Sequence, residues 1–236
     1  LVARRIAGEI GDTLVFTEHD PVYTVGLRSG AAEHVVWDPA HLAREGIEVV
    51  KTNRGGDVTY HGPGQLVGYP IIDLRGDLPG KKGPHLGPVD YVRLLEEVLI
   101  RTCGDFGVMA QRIAKRTGVW TIPGGSIQEK KVAAIGVHVS QGVTSHGFAL
   151  NVTTDLRDFE WIVPCGITDR QVTSLELEAD EAHQPTMATA LNSTARNFGR
   201  VLERQILWSE SLDEILHRNK ETASVATAAS QPPIIG

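Results

Sequence analysis

Residues 54–65 read Arg54-Gly55-Gly56-Asp57-Val58-Thr59-Tyr60-His61-Gly62-Pro63-Gly64-Gln65, and five of these twelve are Gly or Pro. Such a backbone reaches positive φ and approaches a ligand or another segment with no Cβ in the way. Apolar runs flank it, Ile47-Glu48-Val49-Val50 before and Leu66-Val67-Gly68-Tyr69-Pro70-Ile71-Ile72 after, so the stretch reads as a loop carried between two strands. A long hairpin turn would use the same Gly-Gly and Pro-Gly pairs. Arg54, Tyr60 and His61 in so glycine-rich a segment favour a site.

The rest of the pattern narrows the fold. Thr13-Leu14-Val15-Phe16-Thr17 and Val22-Tyr23-Thr24-Val25-Gly26 read as strands joined at Glu18-His19-Asp20-Pro21. Asp38-Pro39 starts a short helix that Gly46 stops. Residues 76–88 read as a flexible Gly- and Pro-rich loop. From Asp90, Val92, Leu95, Leu99, Cys103 and Phe106 recur at helical spacing, and a second helix is expected from about Thr186 to Ile206 along Met187, Leu191, Thr194, Phe198 and Val201. Strands are expected at 117–121, at 131–139 and at its hairpin partner 145–152, with a turn at 123–126. Strands that pair with nearby strands, interrupted by two long helices, predict an α+β domain with a mixed, mostly antiparallel sheet covered by helices. Regular βα alternation is absent.

A chain of 236 residues supports one compact domain, read as 1–216. Residues 217–236, rich in Ala, Ser and Thr, read as a disordered tail. The chain opens on Leu1 rather than Met, so its N-terminal edge is read as truncated. With 29 acidic against 23 basic residues there is no basic footprint for nucleic acid. No run of about 18 apolar residues suggests a membrane span and no signal-like segment suggests export, so a cytoplasmic protein is expected. Two cysteines are too few for a disulfide framework and lack zinc-site spacing.

The two thiols differ in context. Cys103 falls on the core face of a helix and reads as a small buried hydrophobe. Cys165, in Trp161-Ile162-Val163-Pro164-Cys165-Gly166-Ile167, follows an apolar run at a sharp turn, where it is either a projecting nucleophile or an inert loop cysteine. A nucleophilic thiol needs a base. Lys131, heading the apolar Val132-Ala133-Ala134-Ile135-Gly136-Val137, would be desolvated there and its pKa lowered; the alternative is that Lys130-Lys131 is a solvated strand edge. His61 and His146 could each donate hydrogen bonds or line a pocket, or be structural. His19, His61 and His146 lack metal-motif spacing, and Arg54-Gly55-Gly56 is not a phosphate loop.

Six blocks, in order, then resemble one family: residues 18–26; 54–70; Gly118-Val119-Trp120; Lys131-Val132-Ala133-Ala134-Ile135-Gly136-Val137; His146-Gly147-Phe148-Ala149-Leu150-Asn151; and Pro164-Cys165-Gly166 with Thr173-Ser174-Leu175. Together they are similar to the octanoyl-acyl carrier protein:protein N-octanoyltransferases, also called lipoate-protein ligase B, over roughly residues 12–205. The resemblance implies the fold of the biotin and lipoate protein ligase catalytic domains. It also implies ping-pong transfer without ATP or cofactor, from octanoyl-acyl carrier protein through an octanoyl-Cys165 thioester to a lysine of a lipoyl domain. The acceptors would be 2-oxoacid dehydrogenase E2 subunits and the glycine cleavage H protein. The family's lysine matches Lys131. Its substrate-binding positions match Arg54, Gly55, Gly56, Asp57, Val58, Thr59, Tyr60, His61, Ala134, Ile135, Gly136, Gly147, Phe148 and Ala149. The rival readings are an ATP-dependent lipoate or octanoate ligase of the same fold, an octanoyl amidotransferase between carrier proteins, and a non-catalytic acyl-binding protein.

Overall fold

A computed structural model of the chain describes residues 1–34, 39–44, 46–122, 129–162, 171–209 and 211–217. The expected turn at 123–126, Asp38, Cys165 with its Pro and Gly neighbours, and the tail beyond His217 lie outside the described residues.

Among the described residues nine strands make two sheets. The larger runs β1 (Thr13–Thr17), β5 (Gln65–Ile71), β9 (Val143–Asn151), β8 (Lys130–Ser140), β7 (Arg116–Thr121) and β6 (Ala110–Ile113), with every neighbouring pair antiparallel. The smaller places β2 (Val22–Val25) between β3 (Glu48–Lys51), parallel to it, and β4 (Val58–His61), antiparallel to it. The α+β class and the mixed, mostly antiparallel sheet are therefore as expected. The β8–β9 hairpin closes in two residues because Gln141 and Gly142 both take positive φ, 50° and 81°, which matches the right-handed twist of the strands.

Helices α3 (Pro88–Asp105) and α5 (Met187–Leu202) pack on each other and on the larger sheet. Pro88 stands in the first turn of α3, which buries Tyr91, Leu95, Val98, Leu99 and Cys103 in the main core with Val119, Val132, Phe148 and Leu150 of the sheet. Thr186 and Thr189 cap the start of α5 reciprocally. This helix ends at Leu202 rather than near Ile206, because Glu203 turns left-handed at φ 54° and Arg204 N–H closes on Gly199 O at 2.8 Å. Ile206, beyond the helix, still packs against the core. The short helices α1 (Val2–Ile6), α2 (Pro39–Arg44), α4 (Leu175–Glu178) and α6 (Leu212–His217) complete the set.

Three further expectations change. Residues 54–65 are not one loop, since β4 runs through their middle and pairs with β2. β6 went unanticipated because four residues carry too little alternation to be seen. Residues 76–88 are not an open loop: Leu78 and Leu86 are buried, and Leu86 N–H bonds Leu74 O at 2.8 Å. A second core, of Tyr23, Val25, Leu42, Val58, Tyr60 and Ile162, lies under the small sheet. No described helix is long and apolar enough to cross a membrane.

Candidate active site

A cleft of about 1760 Å³ is lined by residues of both sheets. Its floor comes from β8 and β9, where Ala134 stands opposite Ala149 and Gly136 opposite Gly147. These side chains are small, so this stretch of the sheet surface leaves room above it, and Val67 and Tyr69 of β5 line the cleft beside it. All six predicted positions on the hairpin, Ala134, Ile135, Gly136, Gly147, Phe148 and Ala149, line this cleft.

The glycine-rich segment lies across that floor. Gly55 N–H bonds Val137 O at 2.9 Å, and a Cβ on Gly136 would stand 2.6 Å from Gly55 O. Close approach of two backbones is thus the reason for glycine at 136. At the other end Gly64 has φ +78°, its N–H bonds Glu18 Oε1 at 2.6 Å, and its carbonyl accepts from Val152, Thr153 and the Thr154 hydroxyl. Between these anchors Arg54, Gly56, Asp57, Val58, Thr59 and His61 line the cleft. Gly55 and Tyr60 do not line it. Period-two alternation along β4 turns Tyr60 into the second core, against Tyr23 and Phe159 at ring separations of 5.4 and 5.5 Å.

Arg54 is 8% exposed, and its guanidinium donates to Thr24 O at 2.5 Å, Thr24 Oγ1 at 3.0 Å and Gly55 O at 3.2 Å. Among the described residues no carboxylate lies within ion-pair distance of it. Burial lowers its pKa to about 10, against which Asp57 and Tyr69 act in the other direction, so a positive charge is kept in the cleft wall at neutral pH. Asp57 itself is turned to His34 Nδ1, 2.8 Å away, and to its neighbour's Val58 N–H at 2.7 Å.

Lys131 lines the cleft at its far end, with Nζ 5.3 Å from the centre of the Trp120 ring and its stem running over Gly118. Lys130 turns the opposite way, to Glu178 at 3.6 Å. The Lys131 backbone receives the chain that follows the Pro-Cys-Gly segment: Lys131 N–H bonds Gln171 O at 3.0 Å and Thr173 N–H bonds Lys131 O at 2.9 Å. Cys103, the other thiol, is fully buried and its pKa is pushed up to about 12 by that burial.

Several polar groups in the cleft were not singled out as site residues: Thr24, Gln65, Tyr69, Asn151 and Ser174. Tyr69 OH pairs with His19 Nε2 at 2.7 Å, and burial raises its pKa. His61 Nδ1 pairs with Gln65 Oε1 at 2.7 Å; burial, reinforced by His19, Arg54 and His146, lowers its pKa to about 4 despite that bond. His146, with φ +57°, bonds Asn53 Oδ1 at 2.6 Å and is likewise held below its ordinary pKa by burial. Buried polar residues inside apolar strands leave no mark in a hydrophobic pattern, which is why Gln65 and Asn151, though within the segments read from sequence, were given no role. No three or more His, Cys, Asp and Glu side chains among the described residues converge as metal ligands would.

Residues 1–199 match the lipoyl protein ligase A/B catalytic domain. The chain is 60% identical over 216 residues to an octanoyltransferase of Acidobacterium capsulatum, covering 92% of this chain and 87% of that one. It is 50% identical over 216 residues to an octanoyltransferase of Koribacter versatilis, covering 92% and 82%. Among solved structures, it superposes with TM-score 0.63 on a bipartite lipoate protein ligase of Thermoplasma acidophilum at 18% identity, covering 91% and 85% of the two chains. A lipoate-protein ligase A bound with ATP superposes with the same TM-score at 19% identity, covering 87% and 79%. At those identities the structural likeness speaks for the fold.

Proposed function

The chain belongs to the lipoyl protein ligase A/B catalytic domain family, as an octanoyltransferase, and from that premise we propose that it moves octanoyl from octanoyl-acyl carrier protein to a lysine of a lipoyl domain through an octanoyl-Cys165 thioester. The observation that carries this reading is Lys131 at the end of a narrow apolar floor, with its backbone tied to Gln171 and Thr173. Cys165 stands six positions before Gln171, so connectivity alone keeps its Cα within roughly 20 Å of the residue hydrogen-bonded to the lysine backbone.

In the first half-reaction Lys131 takes the Cys165 proton and the thiolate attacks the thioester carbonyl. A bond forms from Cys165 sulfur to the acyl carbon, the carrier's thiolate departs, and Lys131 returns the proton to it. In the second half the acceptor amine attacks the same carbon. The carbon–sulfur bond breaks, and one amine proton passes by way of Lys131 to the Cys165 thiolate. Exchange of one thioester for another is nearly isoenergetic, and the step to an amide runs downhill, so no ATP is consumed.

The floor of Ala134, Ala149, Gly136 and Gly147 suits a straight C8 chain. Each buried CH₂ contributes about 0.8 kcal/mol, so the chain supplies a gross term of roughly 6 kcal/mol. Arg54, Gly56, Asp57, Val58, Thr59 and His61 would close over it, with Gly55 and Tyr60 holding that segment from behind. The acceptors on this reading are lipoyl domains of 2-oxoacid dehydrogenase E2 subunits and the glycine cleavage H protein.

Intact mass after brief mixing with octanoyl-acyl carrier protein, without acceptor, tests the reading. The wild type is expected to gain a hydroxylamine-labile adduct of about 126 Da, an octanoyl group replacing hydrogen, and Cys165→Ala to gain none. Lys131→Ala is expected to slow adduct formation by about 10²–10⁴-fold, the usual worth of a positioned acid–base group. No adduct, together with modification of a lipoyl domain by octanoate and ATP, would make the protein a ligase instead.

A further inference from the structure

Along the cleft wall runs a line of buried polar groups whose hydrogen-bond directions are set by main-chain carbonyls. Asn151 bonds Thr173 O at 2.9 Å, and a carbonyl only accepts, so the amide nitrogen Nδ2 faces it and Oδ1 faces Gln65. Gln65 Nε2 donates to that Oδ1 at 2.9 Å and to a second carbonyl, Tyr60 O, at 3.2 Å. Its Oε1 must then face His61 Nδ1, at 2.7 Å, and an amide oxygen accepts only. The proton of His61 is therefore on Nδ1. Histidine tautomers are ordinarily assigned by choice, but two peptide carbonyls force this one.

The consequence lies on the other side of the ring. His61 lines the cleft, and no described residue bonds its Nε2. The groups facing the ring are His19, 5.7 Å away between centroids, with Arg54 and His146 acting on it through space. All three disfavour a cationic His61, as does its burial, so Nε2 carries a lone pair throughout the neutral range. His61 Nε2 thus stands as a fixed acceptor in the same cleft as the cationic Arg54 guanidinium.

We propose that His61 Nε2 is the hydrogen-bond acceptor for the attacking amine, and that Gln65 and Asn151 are positioning residues that hold it in that tautomer. The inference rests on the acyl-Cys165 reading above. The acceptor amine brings two N–H groups to the octanoyl thioester. One proton leaves by way of Lys131 for the Cys165 thiolate as the carbon–nitrogen bond forms and the carbon–sulfur bond breaks. The other stays on nitrogen in the product amide, bonded to Nε2 throughout, and so aims the nitrogen lone pair at the acyl carbon. His61 takes no proton.

Two measurements on the full chain test this. In ¹⁵N–¹H correlation spectra at pH 7, His61 is expected to show a protonated Nδ1 and an unprotonated Nε2; an Nε2–H tautomer overturns the proposal. Gln65→Glu keeps the shape but sets a carboxylate beside Nδ1–H, which draws His61 toward the cation and turns Nε2 into a donor. The preformed octanoyl adduct, mixed with an apo lipoyl domain, is then expected to show an aminolysis-to-acylation rate ratio lowered about tenfold, the worth of one hydrogen bond, at pH 6–7. That ratio recovers as pH rises through the new His61 pKa. Gln65→Met, which frees the tautomer without adding charge, serves as the second variant and is expected to lower the ratio at every pH. An unchanged ratio, or a loss confined to acylation, overturns the role; the latter would assign Nε2 to an amide N–H of the carrier's arm. Absence of any adduct in the wild type would defeat the acyl-Cys165 reading and this role with it, while the spectrum still reports the tautomer.

Discussion

Burying His61 as a neutral ring ties the stability of the protein to pH. Its pKa is lowered from 6.5 to about 4, chiefly by burial. Between those values the unfolded chain binds more protons than the folded one, so stability rises with pH; it is fully present above about 6.5 and is lost as pH falls toward about 4. The slope attributable to one such group is about 1.4 kcal/mol per pH unit. Urea unfolding at a series of pH values should show this limb in the wild type and a shallower one in His61→Gln. Some slope should survive, because His146 is shifted in the same direction. Parallel curves for the two proteins would reject the assignment. Lys131 and Arg54 could be singled out from sequence because their chemistry stands out against an apolar strand and a glycine run. Thr24 could not, since its role is only to accept from Arg54.

At the scale of elements, the cleft exists because two of them omit side chains. The β8–β9 hairpin supplies Gly136 opposite Gly147; the 54–56 segment lies close above Gly136, and β5 at Gly68 and Pro70 lies close to Gly147. A Cβ at 136 would meet Gly55 O at 2.6 Å and Arg54 Cδ at 3.2 Å, so Gly136→Ala must lift the segment off the floor. Overpacking of this kind costs about 1–3 kcal/mol. The expected outcome is a lower Tm with a loss of octanoyl transfer of more than about tenfold, because misplacing positioning groups weighs heavily on rate. Transfer at the wild-type rate would show that the segment is not seated on Gly136. Both long helices were visible from their apolar periods, but the end of α5 was not. Its stop depends on Glu203 adopting a left-handed turn and on Ile206 finding the core, and neither follows from periodicity.

The described residues form two hydrophobic cores, and the cleft is lined from both sheets. Cys103 lies in the larger core and Cys165 is expected at the site, so the two thiols should report different events. A thiol reagent is expected to modify at most one of the two cysteines in the native protein and both in denaturant. Labelling of Cys103, traced by peptide mass, should follow global unfolding, since its thiol is fully buried and its pKa is pushed up to about 12. Rapid native labelling of Cys103 would contradict the core described here. What the amino-acid sequence determined by itself is local in origin: the glycine-rich segment, the alternation of β8 and β9, the helical periods of α3 and α5, and the residue types that could carry acyl transfer. Backbone freedom and hydrophobic period act over a few neighbouring residues, so they can be read along a line. Tertiary structure alone decided that Arg54 finds Thr24 across 30 residues, that Gln65 meets Asn151 across 86, and that Tyr60 leaves the cleft for the second core. Those pairings depend on which strands lie side by side and in what register, and a one-residue slip would turn every one of these side chains to the opposite face.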